Sequence, residues 1–424
     1  MFDRVNDLSD SLIGGGEGDV DLDPGAFAEL LQNGEQPQHV LASDSVEHET
    51  DGRTTTVKPD GDHAAYLLVT DERVNIILGD QPDEVEIAFG MDAITTCDVD
   101  SGLLNETVVV GHGNESITFS PTAGDLETTA AYIETVSETY QSVDDAIETA
   151  MDRLDTLEER IRGDEPTENR MVRTRSKLSE ARHEAANAEK GSPEKLGERV
   201  AEAEREFERR YVTAWLERGE AALETATSAA EDDYAAFCTA YTTAATAVDT
   251  LKNVDERFNH VAETLIDRVD ALVEDADGFD TRYVEASRDA LDGASDADDP
   301  EAAATRWLEA YRRFDAAHEA DWDRTADLPE LSTDDELDGI AESTVEALVE
   351  YAESLETDGE NREDDDAEAA RERYEQAAEQ LRQARDIAEK WAETDADPFE
   401  TELATLDEKI DRTKWEWGSP GSAE

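Results

Sequence analysis

The spacing of apolar residues changes character near residue 124. Upstream, apolar and polar positions alternate in short runs set off by turn residues, the period-two signature of strands. The runs are HVLASDSVEH (39–48), HAAYLLVT (63–70), RVNIIL (73–78), EVEIAF (84–89), AITTCDV (93–99), ETVVVG (106–111) and ESITFS (115–120). Asp71-Glu72 separates the second from the third, and the glycine-rich GHGN joins the last two as a hairpin. Seven short strands with tight turns predict an antiparallel sandwich or barrel. A short helix, AFAELLQNGE (26–35), precedes them, and ETDGRTTTVKPDGD (49–62) reads as a solvated loop. Farther upstream Phe2, Val5, Leu8 and Leu12 share one helical face and GGGEGDVDLDPG (14–25) reads as a linker, so 1–25 is an amphipathic segment with a flexible connection.

Downstream the period is helical. Ile133, Tyr140, Ile147, Leu154 and Ile161 recur every seven residues, and Val136, Val143, Ala150 and Leu157 form a second series. This a/d seam starts in the helix opened by TAGDLETTAAYIETV, with Thr122 or Asp125 as cap, and meets no Pro or Gly before Gly163. One helix over about 124–162 is therefore expected both to close the strand region (26–140) and to begin a coiled coil. A second helix spans about 167–190, and a third starts at Pro193, a favourable first helical residue. Short breaks favour an antiparallel three-helix coiled coil within the chain over 124–230. A homodimer through the 133–161 seam is the competing arrangement.

Between 231 and 415, three helices with acidic starts are offset by 66 residues, beginning at Asp232, Asp298 and Asp364. Tyr241 corresponds to Trp307 and, after a one-residue slip, to Tyr374; Ala244, Ala310 and Ala377 correspond likewise. The acids suit helix N-termini, where they cap free N–H groups. Helical sequence precedes each: WLERGEAALETA (215–226), VEASRDALDGA (284–294) and TVEALVEYAESL (344–355). The region reads as a helical-hairpin bundle or repeat array, followed by a disordered tail at 416–424, with Trp415 and Trp417 packed on the last helix.

Several stretches carry a family resemblance. LLQNGEQP, then YLLVTDERVNIIL, then IAFGMDAITTCDVDSGLLNETVVV, then SITFSP and the helix through AAYIETV follow one another in the order of the bacterial and archaeal pleckstrin-homology-like (PH-like, YokE-like) family, which this region resembles. The resemblance implies a small barrel plugged by its C-terminal helix, and binding of peptides, partner proteins or membrane surfaces rather than catalysis. It does not imply a phosphoinositide site, because the first strands offer only Arg53 and Lys58 among acids. The 231–415 region is only loosely similar to tetratricopeptide-type hairpins, since their regular period is absent. The expected fold class is α+β: an N-terminal seven-stranded PH-like barrel with a closing helix, then a long all-α coiled-coil and helical-hairpin region.

Charge narrows the function. The 424 residues carry 37 Lys and Arg against 110 Asp and Glu, a net −73. Such a field repels polyanions, so nucleic acid is not an expected partner, and an anionic bilayer is disfavoured. No transmembrane or signal-peptide pattern is present, which points to the cytoplasm. Cys97 and Cys238 fall in different predicted domains, against a disulfide framework or a Cys-rich zinc site. High charge with low hydropathy ordinarily means disorder, yet the periodic patterns argue for a folded chain. Only eight of the 37 cations are Lys, and the acids are spread evenly. This choice of residues resembles cytoplasmic proteins of extremely halophilic archaea. At ~1 M salt the Debye length shrinks to ~3 Å, so surface carboxylates cease to repel one another.

No catalytic constellation emerges, and no cofactor or metal is expected. The seven histidines include no i, i+4 pair on one helix. DVDSG (98–102) and DDELDG (334–339) begin like calcium loops, but Val109 and Val345 stand where the bidentate Glu belongs. The one charge anomaly is NRMVRTRSKLSEARH (169–183), a locally basic stretch. Its Arg170, Arg173, Arg175, Lys177 and Arg182 either pair with acids on neighbouring helices or form a stripe for an anion or partner. The expected function is a non-enzymatic scaffold or adaptor, a PH-like module with a helical platform for a protein or peptide partner. The alternative is a peripheral membrane protein using the barrel or helix 169–183.

Overall fold

A computed structural model describes residues 29–32, 34–61, 63–79, 84–101, 106–163, 167–229, 231–252, 254–325, 328–331, 334–391 and 397–415. The segment expected at 1–25 and the tail expected at 416–424 lie outside them, as does the packing of Trp415 and Trp417. The chain is α+β, with nine strands and then eleven helices among the described residues. It divides into two compact units, Met1–Tyr211 and Val212–Glu424.

The strands of the first unit are β1 (Pro37–Ser43), β2 (Val46–Thr50), β3 (Arg53–Val57), β4 (Ala65–Thr70), β5 (Arg73–Leu78), β6 (Ile87–Gly90), β7 (Thr96–Ser101), β8 (Glu106–His112) and β9 (Glu115–Phe119). They form two antiparallel sheets, ordered β1-β4-β5-β6 and β3-β2-β9-β8-β7. Among the described residues neither sheet closes on itself, so the expected seven-stranded closed barrel is corrected to nine strands in two open sheets. Two local differences account for the count. The run at 39–48 breaks at Asp44-Ser45, placing β1 in one sheet and β2 in the other. The stretch at 49–62 is not all loop, because it contains β3. Asp51 (φ 53°) and Gly52 (φ 76°) are both left-handed. They form the two-residue turn that pairs Thr50 with Arg53, as tight hairpins with right-handed strand twist require. β3 and β4 also change sheet, so the β1–β2 arm pairs with the β3–β4 arm across both sheets.

Leu67, Val69, Ile76, Phe89, Val110 and Phe119 of the two sheets meet in one core. Each such side chain contributes ~1.5–3 kcal/mol when fully removed from water. Helix α1 (Leu126–Arg162) adds Leu126, Ala130, Ile133 and Val136 to the same core. Asp125 caps it, accepting the Thr128 N–H at 3.0 Å. The opposite face of the first sheet is also covered, with Tyr66, Leu68 and Ile77 packed under Leu30 and Leu31. β4 is thus buried at every position, which explains why its sequence is a continuous apolar run.

α1 runs unbroken to Arg162, as its heptads predict. Tyr140, Val143, Ala150, Leu154, Leu157 and Ile161 are buried, while Ile147 is half-buried. Helices α2 (Glu168–Ala186) and α3 (Pro193–Ser228) follow. Ala181 and Ala185 of α2 and Leu196 and Val200 of α3 join the α1 cluster, so that part of the seam is filled within the chain. Side-chain register sets the directions. Ser142 meets Glu184 and Arg153 meets Arg173, which makes α2 antiparallel to α1. Arg199 pairs with Asp144 and Arg210 with Glu158, which makes α3 parallel to α1.

The second unit contains the end of α3 and helices α4 (Tyr234–Leu251), α5 (Val254–Arg257), α6 (Glu263–Ala276), α7 (Phe279–Ser295), α8 (Pro300–Glu319), α9 (Asp334–Arg362), α10 (Ala367–Trp391) and α11 (Asp397–Trp415). The stretch 215–226 is not a separate helix but part of α3. Asp233, Asp299 and Asp366 cap α4, α8 and α10, each accepting the N–H three residues ahead at 3.0–3.1 Å. Ala244, Ala310 and Ala377 are all fully buried, for a methyl lets helices approach closely where a larger side chain would not. Tyr241 and Tyr374 are buried and Trp307 is half-buried.

Candidate functional site

In the second unit a groove of about 390 Å³ follows α8, between the start of α4 and residues of α9 and α10. Ala304, Leu308 and Arg312 lie four residues apart, so α8 presents them as one stripe. Tyr234 comes from α4, Tyr351 from α9, and the amides of Gln380 and Gln383 from α10. The Asp233 and Asp299 caps fix where α4 and α8 begin. Tyr234 and Glu301 therefore sit at the groove because each lies one or two residues past its helix cap.

Two of the four charged side chains that line the groove, Glu301 and Glu309, are already engaged. Glu309 accepts Arg313 at 3.1 Å and the Tyr234 hydroxyl at 3.4 Å. The Arg313 guanidinium stacks 4.4 Å from the Tyr234 ring centre. Burial, and after it the Glu301 carboxylate, pushes the Tyr351 hydroxyl above its usual range. Burial also leads the upward shift of Tyr234, opposed by Arg313. Two groups differ. The Gln383 Oε1 is buried with no hydrogen-bond partner among the described residues, a costly state for an acceptor. Arg312 is exposed, and among the described residues of the second unit it is the one Lys or Arg that makes no ion pair, hydrogen bond or ring contact. The arrangement suits recognition by side-chain amides, aromatic faces and one guanidinium.

The sequence-derived stripe on α2 has a different fate. At about 100° per residue, Arg170, Arg173 and Lys177 share one face, while Arg175 and Arg182 fall roughly 140° away. Lys177 pairs with Glu180 at 2.5 Å and Arg182 pairs with Glu204. Arg175 is also engaged. Arg170 and Arg173 are exposed, and the Arg173 carbonyl accepts from Arg153 at 3.2 Å. The structure thus does not gather the five cations on one surface. Arg53 opens β3, an exposed edge strand, and Lys58 follows its last residue.

The motif Thr70-Asp71-Glu72-Arg73 holds structure in place. Its Thr70 hydroxyl donates to Glu35 at 2.8 Å and accepts the Arg73 N–H at 3.0 Å. Asp71 accepts the Gln36 N–H at 2.7 Å. The turn therefore fastens the segment before β1 to the sheet.

Sequence reasoning missed Arg312, Tyr351, Gln380 and Gln383 as a group, because they come from three helices and no local motif unites them. No protein-family model, curated protein or solved structure matches the chain. Among the described residues, no helix is long and apolar enough to cross a membrane.

Proposed function

We propose that this chain is a non-enzymatic scaffold or adaptor of a salt-rich cytoplasm, a PH-like binding module in one chain with a helical platform that holds a protein partner. The groove along α8 carries the reading. It combines two tyrosine rings, two side-chain amides and an unengaged arginine on helices held by repeated acidic caps. Helical arrays commonly present such surfaces to extended partners. The PH-like assignment is supported by two sheets shared by one long bent hairpin and covered by the following helix.

The membrane alternative asks for a continuous basic face, and α2 divides its cations between two faces with Lys177 and Arg182 in ion pairs. One experiment weighs both readings. Full-length protein and its Leu308→Arg variant are used for crosslinked capture in molar KCl, beside flotation with anionic liposomes. A protein partner held by the parent and lost from the variant, with no flotation, is the expected result. Co-flotation with the vesicles moves the function to the membrane.

A further inference from the structure

We infer that the α8 groove takes an extended peptide segment carrying a carboxylate, with Arg312 as its anchor; this rests on the platform reading above. The chain has about three acids for every base, 110 against 37. In the second unit every other described Lys or Arg is engaged, many with Asp or Glu, as Arg313 is with Glu309 and Lys390 with Asp315 and Glu319. Among the described residues Arg312 makes no such pair, although Glu309 lies one turn back on the same helix. Arg312 sits two turns along α8 from Ala304, in line with Leu308, at the groove.

Three carboxylates line the groove, and among the described residues none of them pairs with Arg312: Glu309 is taken by Arg313 and Tyr234, Glu301 faces the Tyr351 hydroxyl, and Asp232 precedes α4 beside its Asp233 cap. A planar guanidinium binds a carboxylate through two parallel N–H groups, a geometry that Lys cannot reproduce. A free carboxylate gains little there, since an exposed ion pair is weak. An occupant needs further contacts, and the lining supplies them for a polypeptide. Leu308 offers apolar surface, and Tyr234 and Tyr351 offer rings. The amides of Gln380 and Gln383 match main-chain N–H and C=O groups. The unpartnered Gln383 Oε1 is an acceptor that a peptide N–H satisfies after a side-chain rotation.

The test is charge-reversal selection on the full chain. A display library of random eight-residue peptides is selected in ~1 M KCl, where the net charge is screened, against the parent and against Arg312→Glu. Arg312 is exposed and makes no ion pair, hydrogen bond or ring contact among the described residues, so the variant folds, and equal thermal melts verify this. Parent-selected peptides are expected to share Asp or Glu at one position, and Arg312→Glu is expected to select Lys or Arg there. In fluorescence anisotropy, the best parent peptide should bind Arg312→Gln about tenfold more weakly, and replacing its acid by the amide should cost the parent the same factor, the size of one charge-assisted contact. Peptides selected without an acidic position, or bound equally by Arg312→Gln, overturn the carboxylate anchor and leave the platform reading standing. Selection of no peptide above background by either protein overturns both.

Discussion

The Arg73 guanidinium grips the Glu35 carboxylate through Nε and Nη2, both at 2.8 Å, although 38 residues separate them. Glu35 is fully buried and Arg73 is 17% exposed in its side chain. Burial by itself raises the Glu35 pKa. Burial is the largest single influence, but the Arg73 hydrogen bonds and charge, the Gln32 N–H and the Thr70 hydroxyl together outweigh it, and the net direction is down. A lowered folded-state pKa means that this carboxylate stabilises the fold above its unfolded pKa and that the contribution is lost as pH falls through the folded value. Glu35→Gln should destabilise at neutral pH by about 3 kcal/mol, the scale for one partner removed from a buried pair. The deficit should shrink in acid, as urea titrations across pH will show.

Asp71, 5% exposed, is shifted the other way. Burial raises its pKa, and the nearby Glu35 adds to this against the Gln36 N–H. The sign reverses accordingly: ionising Asp71 costs stability as pH rises above the usual aspartate range. Asp71→Asn keeps an oxygen for the Gln36 N–H and removes the buried charge. The variant should be more stable than the parent at neutral pH and lose that advantage in acid. A variant less stable at neutral pH than the parent contradicts the assignment.

Two glycines of α9 make a matched pair. A Cβ on Gly359 would lie 2.6 Å from the Tyr374 Cε1 and 2.9 Å from its Cδ1, whereas one on Gly339 meets nothing within 4 Å. Both substitutions by Ala gain up to ~1 kcal/mol of helix propensity. At Gly359 the overlap with a buried ring costs ~1–3 kcal/mol and wins. Thermal melts should show Gly339→Ala above the parent and Gly359→Ala below it.

The net charge of −73 predicts salt dependence. At low ionic strength the carboxylates repel across a Debye length of ~10 Å, and at molar salt across ~3 Å. Helical circular dichroism should be strong in ~2 M KCl and fall near ~0.1 M. Equal melting temperatures at both salts would refute the halophilic reading.

Much of the fold is legible from local sequence. RVNIIL gives β5 at its observed bounds, and Asp125 and the three acidic helix starts give four caps. β3 escapes because an edge strand facing water needs no apolar alternation, and RTTTV has none. Its signal was available in the Asp51-Gly52 pair, the dipeptide that tight hairpins favour, followed by β-branched residues. The five cations of α2 are close in sequence but divide between two faces of the helix, where Arg182 pairs with Glu204 of α3.

By itself, then, the sequence determines periods, caps and turns: where α1 begins, that it runs to Gly163, and that acids start α4, α8 and α10. These depend on neighbours within a few residues, whose geometry the backbone dictates. Only the tertiary structure decides that the strands form two open sheets, that Arg73 finds Glu35, and that Arg312 is the cation left over at a groove made with Tyr351 and Gln383. Pairing between distant segments depends on which surfaces pack, and in a chain this rich in acids no local pattern tells an engaged arginine from a free one.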